Sequence, residues 1–483
     1  MGATGKPGVP GIVETPRVAV AVMYVAGLFM SIMDTATVNV ALPSIGRSFG
    51  VPATSANAVV TVYLVSLASF IPAAGWLGDR FGTKRIMLFS LGLFTVASAL
   101  CGAAPSLPAL VALRALQGAA GGLLTPVGLT MLFRAYAPAE RVAIGRILMI
   151  PTVVAPATGP IVGGILTQEA SWRWAFYVNV PIGIVTLVYG LLRLREQREE
   201  RPGRFDLPGF VLAGAGLGLL VLGISEGSEQ GWDTIGVIGR LAVGAALLAA
   251  FVVVELRTSS PLLQVRLYAS RVYRSVSLVS VTSHACFGAV LYLTPVFLQT
   301  GRGASPISSG LTTFPEAVGV VCATQIAAHL YDRVGPRGLM AFGAFAVACT
   351  VAAFGAVEAD TSAAVVAALM FLTGAGMAFE MLPSQAAAFA EISPALTGRA
   401  SSLFNAQLRF SGALGVAVVT TVARGFGGTL VGPARSLAGY HAGFFAAAAF
   451  ALVASLFALT LPRRGAARAL SGSPEPTASS SMQ

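Results

Sequence analysis

Apolar stretches of about twenty residues alternate along the chain with short connectors that carry most of the charged positions. Fourteen such stretches fall at about 18–42, 56–77, 85–104, 107–132, 143–167, 174–194, 207–226, 235–256, 273–298, 306–331, 338–357, 362–386, 401–424 and 440–461. Each is long enough as an α-helix to cross the ~30 Å hydrocarbon core of a bilayer. Backbone groups inside that core have no water to bond, so the pattern predicts an all-α membrane protein with 14 transmembrane helices. The even number of crossings puts both termini on one side.

Composition agrees and removes one class of function. Hydrophobic residues make up 55% of the 483-residue chain and charged residues 11%, where soluble domains carry about 25% charged residues. A soluble enzyme is excluded on that ground.

The 31 Lys and Arg residues set the orientation, because cytoplasmic loops retain basic residues during insertion. About 23 fall in the terminal segments or in connectors after even-numbered stretches, including Arg80, Lys84 and Arg85. Five lie on the other side (Arg47, Arg173, Arg302, Arg424, Arg435), and three lie in or at the edge of stretches (Arg114, Arg240, Arg409). A multi-pass protein of the cell (plasma) membrane with both termini cytoplasmic is expected. The net charge of +11 is spread over juxtamembrane loops, where anionic lipid headgroups attract each basic residue by ~1 kcal/mol. Membrane lipids are therefore expected partners, and nucleic acid is not.

Residues 1–17 lack a signal-peptide pattern, so the first stretch is expected to serve as its own insertion signal. Lys6 breaks a myristoylation motif. Cys101, Cys286, Cys322 and Cys349 are isolated and form no Cys-x-x-Cys pair, so no metal or redox cofactor is expected. The Ser-, Pro- and Ala-rich tail from Arg463 is expected to be disordered.

The chain echoes itself. Leu77-Gly78-Asp79-Arg80-Phe81-Gly82-Thr83-Lys84 recurs in outline as Leu330-Tyr331-Asp332-Arg333-Val334-Gly335-Pro336-Arg337, with a shared Asp-Arg-x-Gly core. Like loops at corresponding places indicate two related halves that pivot around a site at their interface. The offset between them is 253 residues; at about 29 residues per crossing with its loop, that is eight crossings rather than six. The expected organisation is a cytoplasmic segment 1–17, a six-helix bundle 18–194, two linker helices within 195–272, a second six-helix bundle 273–462 and a cytoplasmic tail 463–483.

Four motifs give the chain a resemblance to fourteen-span members of the major facilitator superfamily, in the drug:proton antiporter branch. They are Gly75-Trp76-Leu77-Gly78-Asp79-Arg80-Phe81-Gly82-Thr83-Lys84-Arg85 between stretches 2 and 3, and Met33-Asp34-Thr35-Ala36-Thr37-Val38-Asn39-Val40-Ala41-Leu42-Pro43 at the end of stretch 1. Arg114-Ala115-Leu116-Gln117-Gly118 follows in stretch 4, and Ala155-Pro156-Ala157-Thr158-Gly159-Pro160-Ile161-Val162-Gly163-Gly164 in stretch 5. Further matches at Trp172-Arg173-Trp174, Asn179-Val180-Pro181, Ser305-Pro306 and Arg409-Phe410-Ser411-Gly412 extend the likeness over residues 18–462. The resemblance implies the major facilitator fold, a loop that latches one access state, and exchange of substrate against protons.

The residues support these roles independently. Gly75, Gly78 and Gly82 allow close helix approach around Asp79 and Arg80, a charged pair at a water interface, with Asp332 and Arg333 as counterparts in the other half. Pro156 and Pro160 bend stretch 5, while Gly159, Gly163 and Gly164 give it a smooth face for a neighbour. A charge in mid-bilayer costs several kcal/mol unless paired or wetted, which singles out Asp34, Arg114, Glu316, Glu380 and Arg409. Asp34 and Arg114 share a depth and could meet, Glu380 and Arg409 are also level, and Glu316 has no obvious basic partner. Desolvation disfavours the charged form of such a carboxyl, which suits proton binding and release. His284 could titrate near neutral pH, and Asn39, Gln117 and Asn405 could line a polar path or bond between helices.

No Gly-x-x-x-x-Gly-Lys-[Ser/Thr] loop is present, so an ion gradient rather than ATP is the expected energy source. A proton-coupled exporter of amphipathic, cationic or neutral organic compounds, acting as a monomer and without a cofactor, is expected from these features, with Asp34 as the first coupling carboxyl and Glu316 or Glu380 as seconds. A dedicated exporter of one metabolite, lipid or self-made antibiotic would carry the same motifs. A non-transporting receptor or scaffold would need neither intramembrane acids nor paired loops.

Overall fold

The structure, a computed structural model, describes residues 17–51, 56–137, 140, 154–155, 158–159, 162–167, 169–197, 204–258, 261–390, 392–393, 396–426 and 437–462. Pro156, Pro160 and the tail 463–483 lie outside these, as do residues 1–16. Every regular element among the described residues is helical, and twelve helices are long and apolar enough to cross a membrane.

The helices are α1 (Arg17–Phe49), α2 (Ala58–Phe81), α3 (Thr83–Gly102), α4 (Leu107–Ala135), α5 (Trp174–Arg193), α6 (Leu207–Gln230), α7 (Ile235–Arg257), α8 (Arg271–Gly301), α9 (Pro306–Ala353), α10 (Ala363–Ala388), α11 (Thr397–Gly425) and α12 (Ala438–Ala458). Four of them start where a serine precedes the apolar run. Ser106, Ser270, Ser305 and Ser362 each accept the backbone N–H three residues on, at 3.2–3.4 Å, and so satisfy one donor left over at the helix start.

The count of twelve differs from the fourteen expected for two reasons. The 48-residue α9 covers both 306–331 and 338–357, and most of 143–167 lies outside the described residues, with 162–167 helical. Within α9 the chain turns at one residue, Gly335, whose φ of 77° and ψ of 164° suit glycine. Gly82, between α2 and α3, has φ 99° and ψ 137°. Both glycines close an Asp-Arg-x-Gly run, so the sequence echo is also an echo of backbone geometry.

The two halves meet at one end of the molecule, here called the latch end. There α1 begins, with Arg17 paired to Glu140 at 2.5 Å, and α12 ends, with Leu461 O accepting from Arg337 Nη1 at 3.2 Å. One buried apolar cluster runs through both halves at this end, including Phe133 of α4, Val276 of α8, Met340 of α9 and Phe404 of α11. Phe389 bridges the boundary, with ring centroids 4.4 Å from Phe133 and 5.5 Å from Phe404. At the far end the cores are separate, one around Val38, Cys101 and Phe176, the other around Leu293, Phe354 and Phe444.

Small residues make the closest approaches. A Cβ on Gly75 of α2 would lie 2.6 Å from Gly398 O of α11, and one on Gly415 of α11 would lie 1.8 Å from Ala285 O of α8. Backbones this near admit no larger side chain without a shift. Gly415→Val is expected to destabilise the protein by ~1–3 kcal/mol or more through overpacking. Thermal unfolding of purified protein in detergent checks this, and a wild-type melting temperature would mean α8 and α11 pack more loosely than described.

Candidate functional site

In the first half, α1, α2, α3, α4 and α5 converge on one buried polar network. Asp34 and Arg114, expected at one depth, are paired: Arg114 Nη1 donates to Asp34 Oδ2 at 2.5 Å, and both side chains are 0% exposed. Asp34 Oδ1 accepts from Gln117 Nε2 at 2.9 Å and from Asn179 Nδ2 at 3.0 Å. Arg114 also donates to Gln117 Oε1 at 2.8 Å and, through Nε, to Val59 O at 3.1 Å. Its guanidinium lies 4.0 Å from the Tyr63 ring centroid, a cation–π contact that adds attraction on its open face. Ser98 supports Asn179 from α3 at 3.3 Å.

Asn179, Ser98 and Tyr63 are the members of this network that sequence reasoning did not assign. The signal available was Asn179 at the start of α5, just before Pro181, where a buried amide has no helical reason to be. Gln117 is a strut of this network rather than a wall of an open path. Asn405 turns its amide back onto Ser401 O of its own helix at 2.9 Å, and Asn39 is exposed on α1.

At the latch end, Asp79 is 2% exposed and accepts from Arg134 Nη2 of α4 at 2.8 Å. A Cβ on Gly398 would stand 3.1 and 3.3 Å from the two Asp79 oxygens, so the carboxylate lies over the first turn of α11. The positive end of a helix dipole favours an anion there. Two hydrogen bonds join the halves beside it: Gly75 N to Ser402 Oγ at 2.9 Å, and Ser401 Oγ to Pro126 O at 3.0 Å.

The rest of the loop ties helices within the first half. Lys84 Nζ donates to Leu194 O at 2.7 Å and Leu191 O at 3.2 Å, at the C-terminus of α5. Glu196, unassigned from sequence, accepts the Lys84 and Arg85 N–H groups at 3.0 and 3.2 Å and so caps α3. Gly78 is buried in α2, and Gly82 supplies the turn. Arg80 is exposed, as are Asp332 and Arg333, which form no ion pair among the described residues. The second copy of the loop thus repeats the turn of the first without its buried acid.

In the second half the expected level pair is not formed. Glu380 of α10 is 2% exposed and faces Ser283 of α8 and Ser384, and its Oε1 has no hydrogen-bond partner. Arg409 of α11 is half-buried and lies instead in electrostatic reach of Tyr24 and Tyr63 of the first half. Equal depth does not fix which way a side chain points around its helix; Arg409 is in electrostatic reach of His284, which lines the same cavity as Glu380, but forms no ion pair with Glu380 among the described residues. Glu316 of α9 also leaves Oε1 unpartnered, and Cys286 lies within electrostatic reach of both acids. Ser283, His284, Cys286 and Glu380 line one small cavity. The Nδ1 of His284 meets Ser280 O at 3.0 Å.

In the stretch after α4, a Cβ on Gly159 would meet Ala36 of α1, and one on Gly163 would lie 2.9 Å from Thr37 Cα. Gly164 has nothing within 4 Å, so the tight face is made by two of the three glycines.

With this geometry in place, comparison with known proteins is informative. Residues 24–416 match the family model described as Major Facilitator Superfamily. The chain is 31% identical over 424 residues to a multidrug resistance protein B homolog of Mycobacterium tuberculosis, covering 87% of this chain and 78% of that protein. It is 33% identical over 442 residues to the puromycin resistance protein pur8 of Streptomyces alboniger, covering 89% and 88%. Among solved structures, the proton:xylose symporter XylE superposes with a TM-score of 0.65 at 15% identity, covering 91% of this chain and 94% of that one. The human organic anion transporter MFSD10 gives 0.65 at 14%, covering 92% and 99%. These two likenesses are of fold.

The sealed pair makes a sharp mutational contrast. Arg114→Met leaves Asp34 buried without its cation and is expected to cost ~3–5 kcal/mol, whereas combining it with Asp34→Leu recovers much of that loss. Melting curves of the two variants separate these outcomes, and a wild-type curve for the single variant would show that the pair does not hold the bundle.

Proposed function

The chain belongs to the Major Facilitator Superfamily, a family of transporters rather than an enzyme class, and from that premise we propose a proton-coupled antiporter that exports amphipathic, cationic or neutral drugs by alternating access. Relatives named for multidrug and puromycin resistance support drug efflux. That one relative is named for a single compound favours, as a second reading, a dedicated exporter of one metabolite or self-made antibiotic.

The proposed architecture is fourteen crossings in the plasma membrane. The turn at Gly335 makes two crossings of α9, and the helical run 162–167 supports one more. Bundles 18–194 and 273–462 rock against each other, with α6 and α7 as linker helices. The latch end carries the basic loops, so it is assigned to the cytoplasm with both termini. The protein functions as a monomer.

One observation carries the mechanism: the two halves hold their buried acids differently. Asp34 is saturated by Arg114, Gln117 and Asn179, so its role is to hold the first bundle rigid. Glu380 is buried and Glu316 half-buried in the second half; among the described residues neither forms an ion pair, and each leaves Oε1 without a hydrogen bond. A carboxyl in that state takes and gives a proton without dismantling an ion pair. Glu380, beside Ser283 and His284, is the coupling acid of first choice and Glu316 the second. Arg409, facing Tyr24 and Tyr63 across the halves, senses their separation.

In this scheme the ionised acid favours the substrate-loaded, cytoplasm-facing state. Uptake of a proton from outside neutralises it and releases the substrate there. Protein reconstituted into liposomes with a pH dye inside is expected to move protons when a drug is added. Glu380→Gln should lower this flux by roughly tenfold or more, a loss of ~1.4 kcal/mol or more. Unchanged flux in Glu380→Gln would remove that acid from the mechanism, and the absence of any drug-dependent proton movement would refute exchange.

A further inference from the structure

Arg409 is a cation inside the membrane with no anion of its own. It stands near the middle of the 29-residue α11 and is half-buried. Among the described residues it forms neither an ion pair nor a hydrogen bond. Asp34 is taken by Arg114, and Glu316 and Glu380 each leave an oxygen without a partner rather than meeting the guanidinium. Residues 141–168, which include the fifth apolar stretch, contain no Asp or Glu to supply a counter-ion.

The register of α11 shows which way this residue faces. Gly398, Ser402, Asn405 and Arg409 follow one another at the spacing of a single stripe along an α-helix. The stripe begins against the first half: Gly398 stands over Gly75 of α2, and Ser402 Oγ accepts Gly75 N–H at 2.9 Å. Arg409 continues it beyond Ser402, ~10 Å further from the latch at ~1.5 Å per residue. The guanidinium is therefore placed between the halves, on the side where their apolar cores become separate. Its electrostatic neighbours agree, with Tyr24 and Tyr63 in the first half and His284 of α8 in the second. His284 in turn lines a small cavity with Ser283 and Glu380.

A cation at this depth is costly unless an anion or water meets it, and intramembrane charges that face an interior cavity mark substrate paths. The planar guanidinium offers a fork of N–H donors that fits a carboxylate through two parallel bonds. The described residues bring no such carboxylate to it, so the group that completes the site comes with the cargo. We propose that Arg409 seats a carboxylate of the exported compound, so that among neutral drugs the preferred substrates are zwitterions. This rests on the reading that the space between the halves is where drugs bind. The cationic group of the same compound then lies toward Glu380 and Glu316, the acids that favour the loaded state when ionised. A purely cationic drug puts nothing on Arg409 and meets its charge as repulsion, so it binds more weakly. Selection is then by the sign and spacing of two charges, with Arg409 as the element that works against the wrong ligand.

Rhodamine dyes supply a matched pair of probes: one with a free carboxylate, a zwitterion at neutral pH, and the methyl ester of the same dye, a cation on the same ring system. Binding of each to the purified protein in detergent is read by fluorescence polarisation, with no proton gradient. The wild-type protein is expected to bind the free acid roughly tenfold more tightly than the ester, or more. Arg409→Gln should bring the two affinities together by weakening the acid alone. Arg409→Lys, which keeps the charge without the fork, should retain part of the preference. Equal binding of the two dyes by the wild type, tighter binding of the ester, or binding of neither overturns the proposal. So does an Arg409→Gln variant that loses both dyes alike, which is the mark of a structural role. Should that variant fail to fold, Arg409→Lys decides, and an acid-to-ester ratio equal to that of the parent would overturn the assignment. Drug-dependent proton movement in liposomes is a separate readout: its absence would leave this ratio as it is, and a ratio near one would leave proton exchange untouched.

Discussion

A charge carried from water into the middle of a bilayer must find a partner there, and the way each half meets that requirement organises the molecule. The first half meets it for the carboxylate, while Arg114 Nη2 and Asn179 Oδ1 are left without a hydrogen bond. Asp34 and Arg114 neutralise each other, Gln117 and Asn179 fill the remaining positions, and the Tyr63 ring covers the guanidinium. Five helices are thereby held at one point, with Ser98 of α3 and Val59 O of α2 completing the set. The second half leaves the requirement open, with Glu316 and Glu380 in one region and Arg409 turned away toward Tyr24 and Tyr63. On the function proposed above, one bundle is held rigid by this chemistry and the other responds through it.

The latch end joins them with contacts of a different kind. Gly75 and Gly398 let α2 and α11 touch through their backbones, and Phe389 lies between Phe133 and Phe404 across the boundary. The far end has no such shared core among the described residues; its apolar clusters stay within their own halves. A molecule closed at one end and divided at the other is one of the two access states that rocking bundles require. The match to the Major Facilitator Superfamily over residues 24–416 spans both halves.

Much of this was legible in the sequence, and what was not follows from how sequence encodes direction. Length and apolarity mark the crossings well because the bilayer fixes both. The Asp-Arg-x-Gly echo marked two turns correctly, since only glycine suits the φ found at Gly82 and Gly335. Depth along a helix is also legible, and it brought Asp34 and Arg114 together. The same argument failed for Glu380 and Arg409, because depth says nothing about azimuth and helix rotation is settled by packing. Asn179 and Glu196 went unassigned for a related reason: each serves a partner distant in sequence, Asp34 for one and the start of α3 for the other. Nor did the repeated loop reveal that Asp79 is buried over a helix end while Asp332 is exposed.

The strength of the latch decides whether one proton can move it. Among the described residues, hydrogen bonds from Gly75 to Ser402 and from Ser401 to Pro126 cross the boundary, with the Asp79–Arg134 pair set over the first turn of α11. Neutral hydrogen bonds contribute ~0.5–1.5 kcal/mol each, and an anion at a helix start ~0.3–1 kcal/mol, up to ~2 where partly buried. Turning a two-state equilibrium from one side to the other takes ~5.5 kcal/mol, while each pH unit of difference in proton affinity supplies ~1.4 kcal/mol. Polar contacts of this size are within reach of a carboxyl whose environment changes by a few pH units between states. The Asp34–Arg114 pair, whose breaking costs ~3–5 kcal/mol by itself, lies within one bundle and does not cross the boundary. The strong ion pair therefore belongs inside a bundle and the weak contacts between bundles, which is how the chain distributes them.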